Sequence, residues 1–293
     1  MKVFVTGGTG LIGRALVKRL LADAHHITIL TRQSLDSSEA VTYINSIDDL
    51  HTRQDIVINL AGAGLADRRW SPAYKKEIRE SRIDLTQALV SRLRDIGMPN
   101  LLISGSAIGI YGESKERQFS ETDEVGSGFS AEICRDWEAS VSDIGSEGTR
   151  CVLLRTGVVL DKALGAYPQM TQSFRFGLAS WMGQGDHWLS WIHLADMVGA
   201  IRHCIQNEAV SGPVNMTAPN PVTHRTFSDE VRSVTTTVMG MGMPEWVMRL
   251  MVGEMADELL LTGQRVMPTK LLSAGYEFRF GELKAAIAEL EAR

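Results

Sequence analysis

The chain has 293 residues, 44% of them hydrophobic, enough for a sizeable core in one large α/β unit or two intimate lobes. A formal net charge of −5 with no basic run argues against a nucleic-acid partner. Three cysteines (Cys134, Cys151, Cys204) in no ligand spacing argue against a disulfide framework or a zinc site, and strand residues from position 2 with no bilayer-length apolar run predict a cytoplasmic chain without a membrane partner.

The first fifteen residues, MKVFVTGGTGLIGRA, carry the strongest signal. Lys2 to Thr6 read as a short buried strand, with Val3, Phe4 and Val5 at its centre. Gly7, Gly8 and Gly10 force a tight turn, and Leu11 to Leu21 show helical periodicity. Residues without a Cβ let backbone N–H groups approach phosphate oxygens, and the helix N-terminus adds partial positive charge. Gly7, Thr9, Gly10, Leu11, Ile12 and Gly13 are therefore the expected pyrophosphate contacts. An ordinary βα turn that binds nothing is the alternative; three glycines cost stability unless something needs the space.

TGGTGLIG resembles the cofactor loop of the extended short-chain dehydrogenase/reductase superfamily, the group of nucleotide-sugar epimerases and dehydratases. The resemblance implies a doubly wound, mostly parallel α/β sheet of Rossmann type with its cleft at the carboxyl ends of the strands. It also implies a smaller C-terminal lobe. Residues 1–164 are expected to bind the dinucleotide, with 189–216 returning to that domain. Residues 165–293 are expected to form the substrate lobe, family-specific from about 240.

The second strand, Ile27 to Leu30, runs into Thr31-Arg32-Gln33. NAD-binding folds close this strand with an acid that accepts from the adenosine ribose. Here Thr31 and Arg32 take that place, and a guanidinium pairs with a 2′-phosphate. NADP is therefore expected over NAD; a solvated arginine is the alternative. A weak strand follows at Val41 to Ile44. Asp55 to Leu60 read as a buried strand, and Asn59, Leu60, Ala61 and Gly62 are similar to the superfamily's NAG-type motif beside the cofactor. The next stretch, AGAGLADRRW, resembles the YfcH-like epimerase branch. A helix is predicted from about Ala73 to Arg94, with Ser71 as cap and Pro72 in its first turn. Arg82 stands where the superfamily places an asparagine that lines the cofactor cleft. Arg82 and Glu77 are expected at the cofactor, the alternative being an exposed Glu/Arg helix face.

Leu101 to Ser104 form the next strand. Ser104 is expected at the cofactor, and Ser106 matches a serine or threonine that the superfamily uses to hold a substrate hydroxyl or carbonyl. The superfamily's YxxxK pair is absent. In FSAEICRDWEAS, alignment on Glu138 puts Ser130 at the tyrosine and Cys134 at the lysine. Serine cannot stand in for an activated tyrosine at neutral pH, and a buried cysteine is more often structural than nucleophilic. Tyr111, after Ser106, or His193, in WIHLADM, is left to transfer the proton, with Tyr111 ranked first. In the superfamily the histidine and aspartate of the WIHLADM-like segment are mostly structural.

Arg150 to Leu154 are a strand, and Thr156, Gly157 and Val158 after it are expected at the carboxamide of the cofactor. Leu194 to Gln206 read as helix, Gly212 to Met216 as a strand of the main sheet, and Thr223 to Met239 as helix. A leucine-rich helix, GQRVMPTKL and an aromatic strand YEFRF resemble the small C-terminal domain of the YfcH-like branch. Gln264 and Arg265 either reach an anionic substrate or tie that lobe to the body. Two functions follow. One is an NADP-dependent oxidoreductase or epimerase acting on a small carbonyl compound such as a nucleotide sugar, as monomer or homodimer. The other is a non-catalytic NADP(H)-binding sensor.

Overall fold

The N-terminal glycine turn joins β1 (Lys2–Thr6) to α1 (Leu11–Ala22) in the computed structural model, which describes residues 1–292. β2 (His26–Leu30), β3 (Val41–Ile44), β4 (Ile56–Asn59) and β5 (Leu101–Ala107) follow, with α2 (Pro72–Glu80) and α3 (Ile83–Ile96) before β5. Next come β6 (Gln118–Phe119), α4 (Phe129–Ala139), β7 (Arg150–Thr156) and β8 (Val158–Leu160). The chain continues through α5 (Ala166–Met170), β9 (Leu178–Met182), β10 (Trp188–Leu189), β11 (Trp191–His193), α6 (Leu194–Gln206) and β12 (Gly212–Met216). It ends with β13 (Val222–Thr223), α7 (His224–Val234), β14 (Met239–Met243), α8 (Glu245–Val252), β15 (Arg265–Val266), α9 (Thr269–Ser273) and α10 (Leu283–Ala292).

Seven strands form one sheet in the order β12-β7-β5-β4-β1-β2-β3, every pair parallel. Parallel strands buried on both faces need apolar side chains in both directions. Val3 and Val5 pack with Leu16 and Leu20 of α1 and Ile201 of α6, whereas Phe4 packs with Leu89 and Leu93 of α3. The order reverses between β1 and β4, and in doubly wound sheets a ligand crevice opens at that reversal. Gly212–Met216 is an edge strand of this sheet, while Trp191–His193 pairs with β8 outside it.

Three segments differ from the sequence expectation. The helix expected over 73–94 is two helices, broken at Ser81 and Arg82. The Ser81 hydroxyl donates to Ile78 O at 3.1 Å and accepts from Ala63 N–H at 3.0 Å, while Ser81 N–H keeps its bond to Glu77 O and the last turn tightens, Arg82 N–H donating to Arg79 O at 3.1 Å. The helix expected to Met239 ends at Val234, and β14 then pairs with β9. The aromatic segment YEFRF is not a strand. Its backbone is held by buried Asp196, which accepts from Arg279 N–H and Phe280 N–H at 2.8 Å each and from the Tyr276 hydroxyl at 3.1 Å.

A second core cluster brings Phe227 and Val231 of α7 and Leu283 and Ile287 of α10 together with Leu160 of β8 and Trp191 of β11. His224, at the start of α7, lies with its ring 5.1 Å from that of His187. Burial pushes its pKa down to about 3. Below pH 6.5 the unfolded chain takes this proton and the native chain does not, so stability falls as pH drops from about 6.5 towards 3. Urea unfolding at pH 7 and pH 4.5 is expected to show a loss of roughly 2 kcal/mol from this residue, and His224→Gln is expected to flatten the slope by that amount.

Candidate cofactor and substrate cleft

At the turn after β1, Gly7 has φ +69°, and a Cβ on it would lie 2.7 Å from the Leu60 carbonyl. A Cβ on Gly13 would lie 2.1 Å from Gly7 O, whereas one on Gly10 would meet only Gly7 O, at 3.3 Å. The turn is thus closed towards the protein and open on the other side. Gly10 caps α1 without a side-chain hydrogen bond, and the first turn of α1 has no acid. The leading N–H groups of a helix lack intrahelical partners, so this end suits a pyrophosphate. Behind it, the Thr6 hydroxyl donates to Asn59 Oδ1 at 2.6 Å and accepts from Ala61 N–H at 3.1 Å. Asn59 Nδ2 donates to Thr86 Oγ1 at 2.8 Å. These bonds fix β4 and its following loop beside the turn.

After β2, Thr31 is buried and accepts from Gln33 N–H through its hydroxyl at 3.2 Å. Asn45 Nδ2 holds the same segment through Thr31 O at 2.7 Å and Gln33 O at 3.1 Å. Arg32 is exposed, and no acid stands between Leu30 and Gln33. The donor set fits a phosphorylated ribose.

Beyond the carboxyl ends of β5 and β7 lie two chambers. The inner one, about 320 Å³, is mainly apolar and includes Leu65, Ile133, Trp137 and Leu259. Arg82, Ser106, Thr156, Gly157 and Val158 line it, as do Ser130 and Cys134 of α4. The outer one, about 450 Å³, shares Gly109, Ser130, Glu258, Thr262 and Gln264 with the inner. The break between α2 and α3 turns Arg82 inward. Its guanidinium donates to Ala63 O at 2.9 Å and Ile78 O at 3.2 Å and lies 5.4 Å from the Trp137 ring. A Cβ on Gly62 would lie 3.0 Å from its Cζ. Burial lowers the Arg82 pKa, yet a guanidinium stays charged, so the chamber wall carries a cation. Burial pushes the Cys134 thiol up to about 11, leaving it neutral.

Residues 3–216 match the NAD-dependent epimerase/dehydratase family, and residues 243–290 match a domain of unknown function, DUF1731. This chain belongs to the NAD-dependent epimerase/dehydratase family. It is 38% identical over 289 residues to the epimerase family protein Mb2239 of Mycobacterium bovis, covering 97% of this chain and 96% of that one. It is 35% identical to the chloroplastic SDR39U1 homologue of Arabidopsis thaliana, covering 98% and 86%. The human epimerase family protein SDR39U1, solved with NADPH, superposes with a TM-score of 0.90 at 30% identity over 100% of both chains. A nucleoside-diphosphate sugar epimerase from Corynebacterium glutamicum gives 0.81 at 30% identity, over 100% of this chain and 59% of that one.

In this family member the geometry removes several expected site residues from the chambers. Tyr111 is 3% exposed. Its hydroxyl donates to Asn215 Oδ1 at 2.7 Å and accepts from Arg155 Nη1 at 2.9 Å, and burial raises the phenol pKa although Arg155 opposes it. It does not project into the cleft. His193 is 2% exposed; its Nδ1 accepts from Ala195 N–H at 3.1 Å, capping α6, and its Nε2 lies 3.2 Å from Glu289 Oε2. Its ring is thus committed to joining α6 to α10. Glu77 is half-exposed on α2 and faces Arg68 at 3.4 Å. Ser104 is fully buried in β5 and lines neither chamber. The Asn59 side chain is spent on Thr6 and Thr86, so only its backbone stands near the turn.

Ser106 does reach the inner chamber, but its hydroxyl donates to Glu138 Oε1 at 2.7 Å. Glu138 in turn takes two bonds from Arg155, Nε to Oε1 and Nη2 to Oε2, at 2.9 Å each. Arg155 is 5% exposed. Missed in the sequence were this buried pair, the Trp137 wall and Glu258. The spacing of Ser130, Cys134 and Trp137 along one face of α4 was the available signal for the wall. Glu258 had none, because it comes from a segment far along the chain. Gln264 lines both chambers, while Arg265 lies 4.9 Å from the Trp188 ring.

Proposed function

We propose that this chain is an NADP-dependent oxidoreductase or epimerase-like protein of the YfcH-like branch. Residues 1–164 and β12 carry the dinucleotide, and the later lobe closes over a small carbonyl or alcohol substrate. The observation that carries the reading is the open glycine turn leading, across the sheet ends, to a chamber lined by Thr156, Gly157 and Val158. The bound dinucleotide would exchange hydride with the substrate. Around it, the Gly7–Gly13 turn holds the pyrophosphate and Arg32 the 2′-phosphate. Arg82 supplies positive charge on the wall where α4 offers only a serine and a neutral thiol. Ser106, its proton held by Glu138, presents an acceptor to a substrate hydroxyl.

A second reading, a non-catalytic NADP(H) sensor, draws on one observation: Ser130 and Cys134 leave the inner chamber without the usual proton-transfer pair. Titration with NADPH and NADH tests the cofactor choice. A charge-assisted contact to the 2′-phosphate is worth about 1.5–3 kcal/mol, so NADPH is expected to bind at least about tenfold more tightly. Arg32→Ala is expected to bring the two to within about threefold; equal wild-type affinities would refute the assignment. A carbonyl panel with NADPH then separates the two functions, since turnover favours the enzyme and its absence with tight cofactor binding favours the sensor.

A further inference from the structure

Two helix N-termini bordering the cleft are treated in opposite ways. α1 starts without a side-chain cap and without an acid. α4 is capped by Gly128, and Glu258, from the C-terminal part of the chain, fills its end. Phe129 N–H donates to Glu258 Oε1 and Ser130 N–H to Oε2, each at 3.2 Å. Gly128 has φ +102°, and a Cβ on it would lie 2.9 Å from Glu258 Oε1, so the backbone there leaves just the space that the carboxylate uses. A helix end of this kind is a ready site for phosphate. At α4 the chain's own anion takes it.

Glu258 lines both chambers. The outer chamber adds Glu113, Glu245 and Asp257. Arg249 on the same wall is already engaged, donating to Glu245 Oε2 at 3.0 Å and to Asp257 Oδ1 at 2.9 Å. The Ser130 hydroxyl oxygen is buried without a hydrogen-bond partner among the described residues, and Ser130 lines both chambers beside Glu258. An unmet hydroxyl beside a carboxylate is an acceptor pair for a group rich in N–H donors. A diphosphate would face like charge at close range, which is the repulsive half of specificity.

We infer that Glu258 sets the substrate class: the cleft takes a carbonyl or alcohol compound with an apolar body and an ammonium group, and it rejects nucleoside diphosphates. The apolar body occupies the inner chamber, the reacting oxygen lies near Thr156–Val158, and the ammonium meets Glu258 and Ser130. The inference rests on the cofactor reading above.

Calorimetry on the full chain tests it, with an NADPH titration run first. Failure of that titration refutes the cofactor reading, and the ligand series is then run on the cofactor-free chain, where the charge selection predicts the same order of affinities. On the NADPH-saturated protein, 6-amino-1-hexanol is expected to bind at least about tenfold more tightly than 6-hydroxyhexanoate, and UDP-glucose more weakly than either. Glu258→Gln is expected to bring the amine/carboxylate ratio to within about threefold. Because that change also loosens α4, Glu245→Gln at the chamber mouth provides a second variant, expected to lower the ratio by about threefold. Any of three results overturns the inference: no measurable 6-amino-1-hexanol binding up to about 10 mM, UDP-glucose binding more tightly than the amine, or a ratio that neither variant moves.

Discussion

Gly13→Ala is expected to abolish NADPH binding, with a loss of at least about 100-fold in affinity. The alanine Cβ would stand 2.1 Å from Gly7 O and 2.7 Å from Gly8 Cα. Both are backbone atoms, so no flexible side chain can give way. Either α1 moves off β1 or the turn opens, and both displace the N–H groups proposed to hold the pyrophosphate. Overpacking of this kind costs about 1–3 kcal/mol of stability, occasionally more. Gly145→Ala is the control, because nothing lies within 4 Å of a Cβ there. Fluorescence titration and urea unfolding of both variants read the two effects separately. NADPH binding by Gly13→Ala within threefold of wild type would place the cofactor elsewhere.

Glu138→Ala is expected to cost about 3–5 kcal/mol of folding stability. Its carboxylate is the bidentate partner of Arg155, whose side chain is 7% exposed. Removing one member leaves a desolvated cation and also deprives the Ser106 hydroxyl of its acceptor. Among the described residues Arg155 would keep the Tyr111 hydroxyl and ring and, at 3.3 Å, Glu121 O. Replacing both charges, as Glu138→Ala with Arg155→Met, is expected to recover most of the loss, because the uncompensated charge dominates the single variant. A double-mutant cycle from urea unfolding measures the coupling. A single variant within about 1 kcal/mol of wild type would show that the pair is not what holds β7 against α4.

The parts of the site that sequence made legible are those where local backbone chemistry leaves no choice. A βα turn with glycines at positions 7, 10 and 13 admits few structures, and an arginine in place of an acid after β2 is visible without a fold. The helix break at Ser81 and Arg82 is hidden because apolar periodicity runs straight through it; the Ser81 hydroxyl there bonds Ala63, a partner that only the tertiary structure brings near. YEFRF alternates like a strand, but Asp196 claims its N–H groups before any strand could. Tyr111 and His193 have the chemistry for proton transfer, but packing uses the hydroxyl of one and the ring of the other. Glu258 meets α4 through a contact 128 residues apart along the chain, a separation that no local pattern encodes.

The Asp196 clamp crosses the boundary between the two matched regions. Its carboxylate belongs to the first matched region, 3–216, and the amides it holds belong to the second, 243–290. A terminal module transplanted from a relative would dock only if it offered two amides at the same separation, and a recipient without the aspartate would strand those amides in an apolar seam. In this chain, then, moving either region without the other would leave the Asp196 carboxylate or those two amides without their partner.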